Sequence, residues 1–315
     1  MDTIFGMLTL TLIYSTPILV TALGGMFCEK SGVVNIGLEG LMAFGAFAAA
    51  TTMYFVEGNG AIGPYEALLI GTIVGGVVSL LHAYMSISLK ADQVISGTAI
   101  NMFAVGVTIY LSQIIFGQQR TLAFSHSFTK TTYPVLSKIP VIGPIFFQEI
   151  YPTVYIALVL VLISWYVLYK TSFGLRLRAS GENPHAVDSV GANVIKIRYI
   201  AVFISGLLGG LGGSMMILTQ DIQYTAVSIH GTGFIALAAV IFGRWKPVPI
   251  LGASLFFGFS QILKIYSSSF GIFAALPLEL FDSFPYILTV IALVVFSGKG
   301  VGPRASGEAY DKGQR

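Results

Sequence analysis

Charge is what this chain has least of. Asp, Glu, Lys and Arg together make up 10% of its 315 residues, where a soluble domain carries roughly 25%. A water-facing surface of ordinary size cannot be covered with so few charges. Cysteine is scarcer still. Cys28 stands alone, which excludes an intrachain disulfide and a cysteine metal cluster and leaves the role of a small buried hydrophobe. His82, His126, His185 and His230 are scattered without metal-ligand spacing, and neither a GxxxxGK[ST] loop nor a nucleophile elbow occurs. No metal, no cofactor and no nucleic-acid partner are expected. If ATP drives this protein, another subunit binds it. The first apolar stretch lacks a basic n-region and is longer than a signal-peptide core, so a permanent helix is expected there.

What the chain does have is 55% hydrophobic residues, a mean hydropathy of +0.82 and 36 glycines. About 20 apolar residues cross a bilayer. Runs of that kind lie at 4–26, 33–56, 65–89, 94–116, 152–169, 199–219, 248–266 and 284–297, with a shorter one at 232–243. The expected fold is all-α, a polytopic transmembrane bundle of about nine spans, within eight to ten, with broken or half-helices. The short run is either completed by 222–231 or a half-helix inside the bundle. A single permease-like domain fills 1–315, with a long loop at 117–151, a polar loop at 170–198 and a tail at 299–315. Glycine pairs four apart, Gly71 with Gly75, Gly206 with Gly210 and Gly209 with Gly213, predict close helix crossings, because apolar lipid gives helices no hydrophobic reason to associate.

Basic residues set the orientation. Lys170, Arg176, Arg178, Lys196 and Arg198 crowd the loop at 170–198, and Lys299, Arg304, Lys312 and Arg315 the tail. Both are expected in the cytoplasm. Counting back then puts the N-terminus outside, with Lys30, Lys90, Arg244 and Lys246 inside. The loop at 117–151 falls outside despite Arg120, Lys130 and Lys138.

Polar residues inside apolar runs are costly and tend to mark pathways. Asn35 and Glu39 are four apart and on a helix would share a face. Glu39 either lines a substrate path or braces neighbouring helices. Asp92, Gln93, Ser96, Thr98 and Asn101 form a second group, in which Gln93, Gly97 and Asn101 keep helical register, and Asp92 doubles as a candidate cap. The segment 219–224 reads as a plain solvated loop or as a third polar group on the outer side. Phe103 and Phe234 are the aromatic candidates for stacking on a base along the path.

The polar loop also carries a helix start. Glu182, Asn183 and Pro184 open it, and Ala186, Val187 and Val190 follow at helical spacing before Gly191. The prediction is a short amphipathic helix at the membrane surface, with Ala186, Val187 and Val190 on one side, meeting another protein.

Three stretches carry a resemblance. LGGMFCEKSGVVNIGLEG at 23–40, ASGENPHAVDSVG at 179–191 leading into IRYIA at 197–201, and GTGFIALAAVIFGR at 231–244 resemble the permease subunits of ABC importers that work with basic-membrane-protein-type lipoproteins. This is a branch, associated mainly with nucleosides, of the superfamily that also holds ribose and branched-chain amino acid permeases. The resemblance implies a bacterial plasma-membrane importer subunit with three partners: a cytoplasmic ABC ATPase, a second similar permease forming a heterodimer, and an extracytoplasmic substrate-binding lipoprotein. It makes Glu182 to Gly191 the coupling helix that docks into the ATPase. Sugar permeases of the superfamily show an acidic-aliphatic-Ser-Val-Gly run where NIGLEG stands at 35–40, so a simple sugar such as ribose is the less favoured cargo. An ion-coupled secondary transporter would need ionisable groups in mid-span, and Glu39 and Glu66 with His82 are the loose candidates.

Overall fold

The computed structural model describes residues 2–57, 62–125, 127–140, 142–266 and 302–312, together with Ser283, Ile287 and Val290. The described residues are helical, and extended pairing is confined to isolated bridges between Arg120 and Thr225 and between Thr131 and Ile150. In chain order the helices are α1 Asp2–Lys30, α2 Leu38–Val56, α3 Gly63–Ala83, α4 Gln93–Phe116, α5 Ile142–Phe146, α6 Pro152–Lys170, α7 Ser172–Glu182, α8 Pro184–Ser189, α9 Val194–Gln220, α10 Thr232–Phe242 and α11 Pro247–Tyr266. A π-helical turn, Tyr84–Ser88, prolongs α3. Among the described residues 6 helices are long and apolar enough to cross a membrane: α1, α2, α3 with its extension, α4, α6 and α9.

Helices α1 and α9 form the axis of the bundle: 67% of the most apolar window of each is buried, against 22% for α4 at the periphery. The α4 face carrying Ile95, Met102, Tyr110 and Ile114 is exposed, as befits a surface bathed by lipid or covered by another subunit. The glycine pairs mark the closest crossing. A Cβ on Gly75 would lie 2.6 Å from both the Gly206 carbonyl oxygen and the Gly210 Cα, and one on Gly210 would lie 2.6 Å from the Gly71 oxygen. Two of the predicted pairs, Gly71 with Gly75 and Gly206 with Gly210, therefore face each other across α3 and α9, backbone against backbone, while Gly209 and Gly213 pack against Leu41 and Met42 of α2. Cys28 is fully buried in a small cluster with Val33, Ala83, Ile87 and Val202.

Two sequence expectations are corrected, for 33–56 and for the polar loop, and two alternatives are decided, for 222–231 and for 219–224. The run 33–56 is not one helix: the chain unwinds after Lys30 and α2 starts only at Leu38. The stretch 222–231 does not complete the short span, and α10, with 11 residues, is a half-helix. The one short helix expected in the polar loop is a pair, α7 and α8, broken at Asn183, since the proline that opens α8 has no amide to continue α7. The segment 219–224 is no plain solvated loop. Tyr224 is 2% exposed, its hydroxyl donates to Thr108 Oγ1 at 3.1 Å and its amide donates to Thr121 Oγ1 at 2.8 Å. The expected span at 284–297 lies outside the described residues, apart from Ile287 and Val290.

Candidate substrate path and docking face

Unwound backbone inside an apolar bundle must find hydrogen-bond partners, because no bulk water is there to supply them. Side chains of α3 and α4 supply them to the break at 31–37. From α4, Gln93 Oε1 accepts from the Val34 amide at 2.7 Å, and Asn101 both donates to the Ile36 carbonyl at 3.1 Å and accepts from the Gly40 amide at 2.8 Å. His82 of α3 meets the Val34 carbonyl at 2.9 Å through Nε2 and Ser96 Oγ at 2.9 Å through Nδ1. Asn35 turns inward, donates to Ser205 Oγ of α9 at 3.0 Å and accepts from the Gly37 amide at 3.1 Å. Asp92 caps α4 by accepting from the Ile95 amide at 2.9 Å.

Asn35 and Glu39 therefore do not share a helical face: Asn35 is fully buried in the unwound segment, and Glu39 stands in the first turn of α2. Glu39 reaches the other break. Its Oε1 accepts from the Gly231 amide at 2.8 Å and its Oε2 from the Gly233 amide at 2.7 Å. These amides open α10, where a helix has free donors and a partial positive charge. Gly231 adopts φ 78°, left-handed backbone that glycine enters without strain, and this turn aims the amides at the carboxylate. A carboxylate thus joins the first turns of α2 and α10 and ties the end of the break at 31–37 to the turn that opens α10. Phe103 stands 5.9 Å from Phe44, ring to ring, on the exposed side of α4. Phe234, in the first turn of α10, is 45% exposed. On the segment that leads into α10, burial pushes the Asp221 carboxyl above the ordinary carboxylate range, with His230 pulling it back.

At the other end, α7 is capped by Thr171, whose Oγ1 accepts from the Gly174 amide at 3.1 Å, and α8 by Asn183, whose Oδ1 accepts from the Ala186 amide at 3.0 Å. The expected apolar side is split. Pro184 and Val187 turn inward and are buried, whereas Ala186 and Val190 point outward, Val190 at 80% exposure. Glu182 ends α7 in the open, and Gly191, at φ 81°, turns the chain away after α8. A cleft of about 360 Å³ between the helices is lined by Leu175, Arg176, Ala179, Val187, Val190 and Ala192. Sequence reasoning missed His82 and Arg198 as organisers. The available signal was an ionisable residue placed next to small polar ones, Ser79 and Ser86 around His82.

Comparison with known proteins matches residues 7–293 to a family model described as the permease component of branched-chain amino acid transport systems. The guanosine ABC transporter permease protein NupQ of Bacillus subtilis is 48% identical over 306 residues, 97% of this chain and 96% of the relative. The nucleoside ABC transporter permease protein NupC of Lactococcus lactis is 39% identical over 302 residues, 96% and 95% of the two chains. The glucose ABC transporter permease protein TsgB13 of Haloferax volcanii is 25% identical over 285 residues, 86% and 73%. No solved structure matches.

Proposed function

Because the chain belongs to the family of branched-chain amino acid transport system permease components, we infer that it is the multi-pass membrane subunit of an ATP-driven importer whose cargo is a nucleoside. It is a transport subunit and not an enzyme. The observation that carries the cargo is the likeness to NupQ, 48% identical along 97% of the chain, against 32% to a putative glucose permease and 25% to a second glucose permease of Haloferax volcanii. ATP is hydrolysed by a cytoplasmic ABC ATPase, a second permease completes the path, and an extracytoplasmic lipoprotein delivers the nucleoside.

The path runs beside the junction of the two chain breaks. Phe103 and Phe234 offer ring faces to a base, and the Glu39 carboxylate accepts hydrogen bonds from ribose hydroxyls or a base amine as the α10 amides yield. Asn35, Asp92, Gln93 and Asn101 hold the frame of that path. Glu182, Asn183, Pro184, Ala186, Val187, Val190 and Gly191 form the coupling segment, with Ala186 and Val190 facing the ATPase. Closing of the ATPase around nucleotide shifts α7 and α8, and the permease pair rocks between outward and inward states.

Nine apolar segments suit this reading: the six long helices, the half-helix α10, α11, and the apolar run that the sequence carries at 284–297. The N-terminus is then outside and the C-terminus in the cytoplasm. Lys90 pairs with Asp311 of the tail at 3.0 Å and Gly181 with Ala305, which supports a common side for the basic loops.

The test is uptake by cells lacking this subunit. High-affinity uptake of labelled guanosine or another nucleoside is lost and returns with the intact gene, while ribose uptake is untouched. Loss of ribose uptake with normal nucleoside uptake refutes the assignment.

A further inference from the structure

The tail at 302–312 is folded onto the cytoplasmic end of the bundle. The Ala305 amide donates to the Gly181 carbonyl at the end of α7 at 2.8 Å, and the Gly307 amide donates to the Gly32 carbonyl at 3.2 Å, where the unwound segment leaves α1. One short stretch thus bonds the coupling segment and the chain break. Between these anchors Gly181 admits no side chain, as a Cβ there would lie 3.1 Å from Pro303 Cβ and 3.0 Å from the Lys30 carbonyl carbon. Beyond them Tyr310 is 7% exposed. Its ring lies 5.3 Å from that of His185 on α8 and 5.9 Å from the guanidinium of Arg198 on α9.

Arg198 shows how much rests on this contact. It is 1% exposed, its Nη1 donates to the Glu308 carbonyl at 2.9 Å, and its Nε and Nη2 have no hydrogen-bond partner among the described residues. A buried guanidinium is costly unless its charge is met, and here the tail meets it with a carbonyl and an aromatic face. Helix α8 touches the unwound segment through α7 and through this tail. A displacement of α8 that pulls on Tyr310 is therefore carried by the backbone from 310 to 307 into Gly32.

We propose that residues 303–311 form a strap that carries movement of the coupling helices to the unwound segment at 31–37, with Tyr310 and Arg198 as its positioning residues. The strap rests on the importer reading for its purpose, though not for its existence. It makes the tail part of the transmission, acting on how ATP hydrolysis is converted into transport and not on whether the ATPase binds.

The experiment uses the full permease and ATPase complex in lipid nanodiscs or vesicles, with Tyr310→Ala and Tyr310→Phe beside the parent. Hydrogen exchange at amides 183–192, which needs no substrate, is expected to quicken in Tyr310→Ala and to stay parental in Tyr310→Phe, where the ring is kept. The ATPase co-purifies with both. Nucleoside transported per ATP hydrolysed falls on the order of tenfold in Tyr310→Ala, the size of a typical coupling between sites, and holds in Tyr310→Phe. Parental exchange and parental coupling in Tyr310→Ala overturn the strap, and so does loss of ATPase co-purification, which makes the tail a docking element. If no nucleoside stimulates even the parental complex, the importer reading has failed, and the exchange measurement alone decides the strap.

Discussion

At the scale of single residues, Glu39 is a carboxylate with both oxygens bonded to backbone amides of another element. Its oxygens accept from the Gly231 and Gly233 amides, so removing them orphans donors in an apolar setting at about 1–3 kcal/mol each. Glu39→Ala is expected to lower thermal stability in detergent and to abolish transport. Glu39→Gln keeps an acceptor and is expected to retain the fold while transport falls. Thermal unfolding and nucleoside uptake, measured on both variants, check this; parental uptake by Glu39→Gln would mean that the carboxylate only braces α10. The polar character of the site was legible, since Asn35, Glu39, Gln93 and Asn101 interrupt apolar runs. Their partners were not, because each bonds to a group far along the chain, as Asn101 does to Ile36 and Gly40 and Asn35 to Ser205, and composition carries no such pairing.

At the scale of elements, α8 and its cap separate an exposed surface, proposed above as the ATPase contact, from a fold-bearing one within a few residues. Val187 is 4% exposed and belongs to the main core, whereas Val190 is 80% exposed. Val190→Asp is expected to leave the purified permease monodisperse while ATPase co-purification weakens by at least about tenfold, equivalent to about 1.4 kcal/mol. Val187→Asp buries a charge without a partner and is expected to reduce the yield of folded permease itself. Size-exclusion profiles and ATPase recovery distinguish the pair; full ATPase recovery with Val190→Asp would remove α8 from the docking surface. Length and apolarity made the long helices legible. They concealed the break at 31–37, because Val33, Val34 and Ile36 read as span, and the residues that hold them unwound, His82, Gln93 and Asn101, arrive from α3 and α4.

At the scale of the molecule, the bundle is held by the tight crossing of α3 and α9. Gly75→Val would force backbone apart at a point where even a Cβ lies 2.6 Å from a carbonyl oxygen. Overpacking of this kind costs about 1–3 kcal/mol or more, and the expected outcome is a lower melting temperature with the spans still inserted, read by thermal unfolding and protease protection. This crossing was foreseeable from small residues four apart, because their spacing is a property of each helix alone. Which pairs would meet was not, since that depends on how both helices are placed.

Cys28 has a consequence for how such a molecule can be watched. It is the chain's single thiol and is 0% exposed, sealed among Val33, Ala83, Ile87 and Val202. In the folded protein a maleimide cannot reach it, so a cysteine introduced on α8, at the mouth beside Phe234 or on the tail is the only one that reacts. Fluorophores and spin labels can therefore be placed in pairs on the native background, and the distances between them followed through a cycle of ATP binding and hydrolysis.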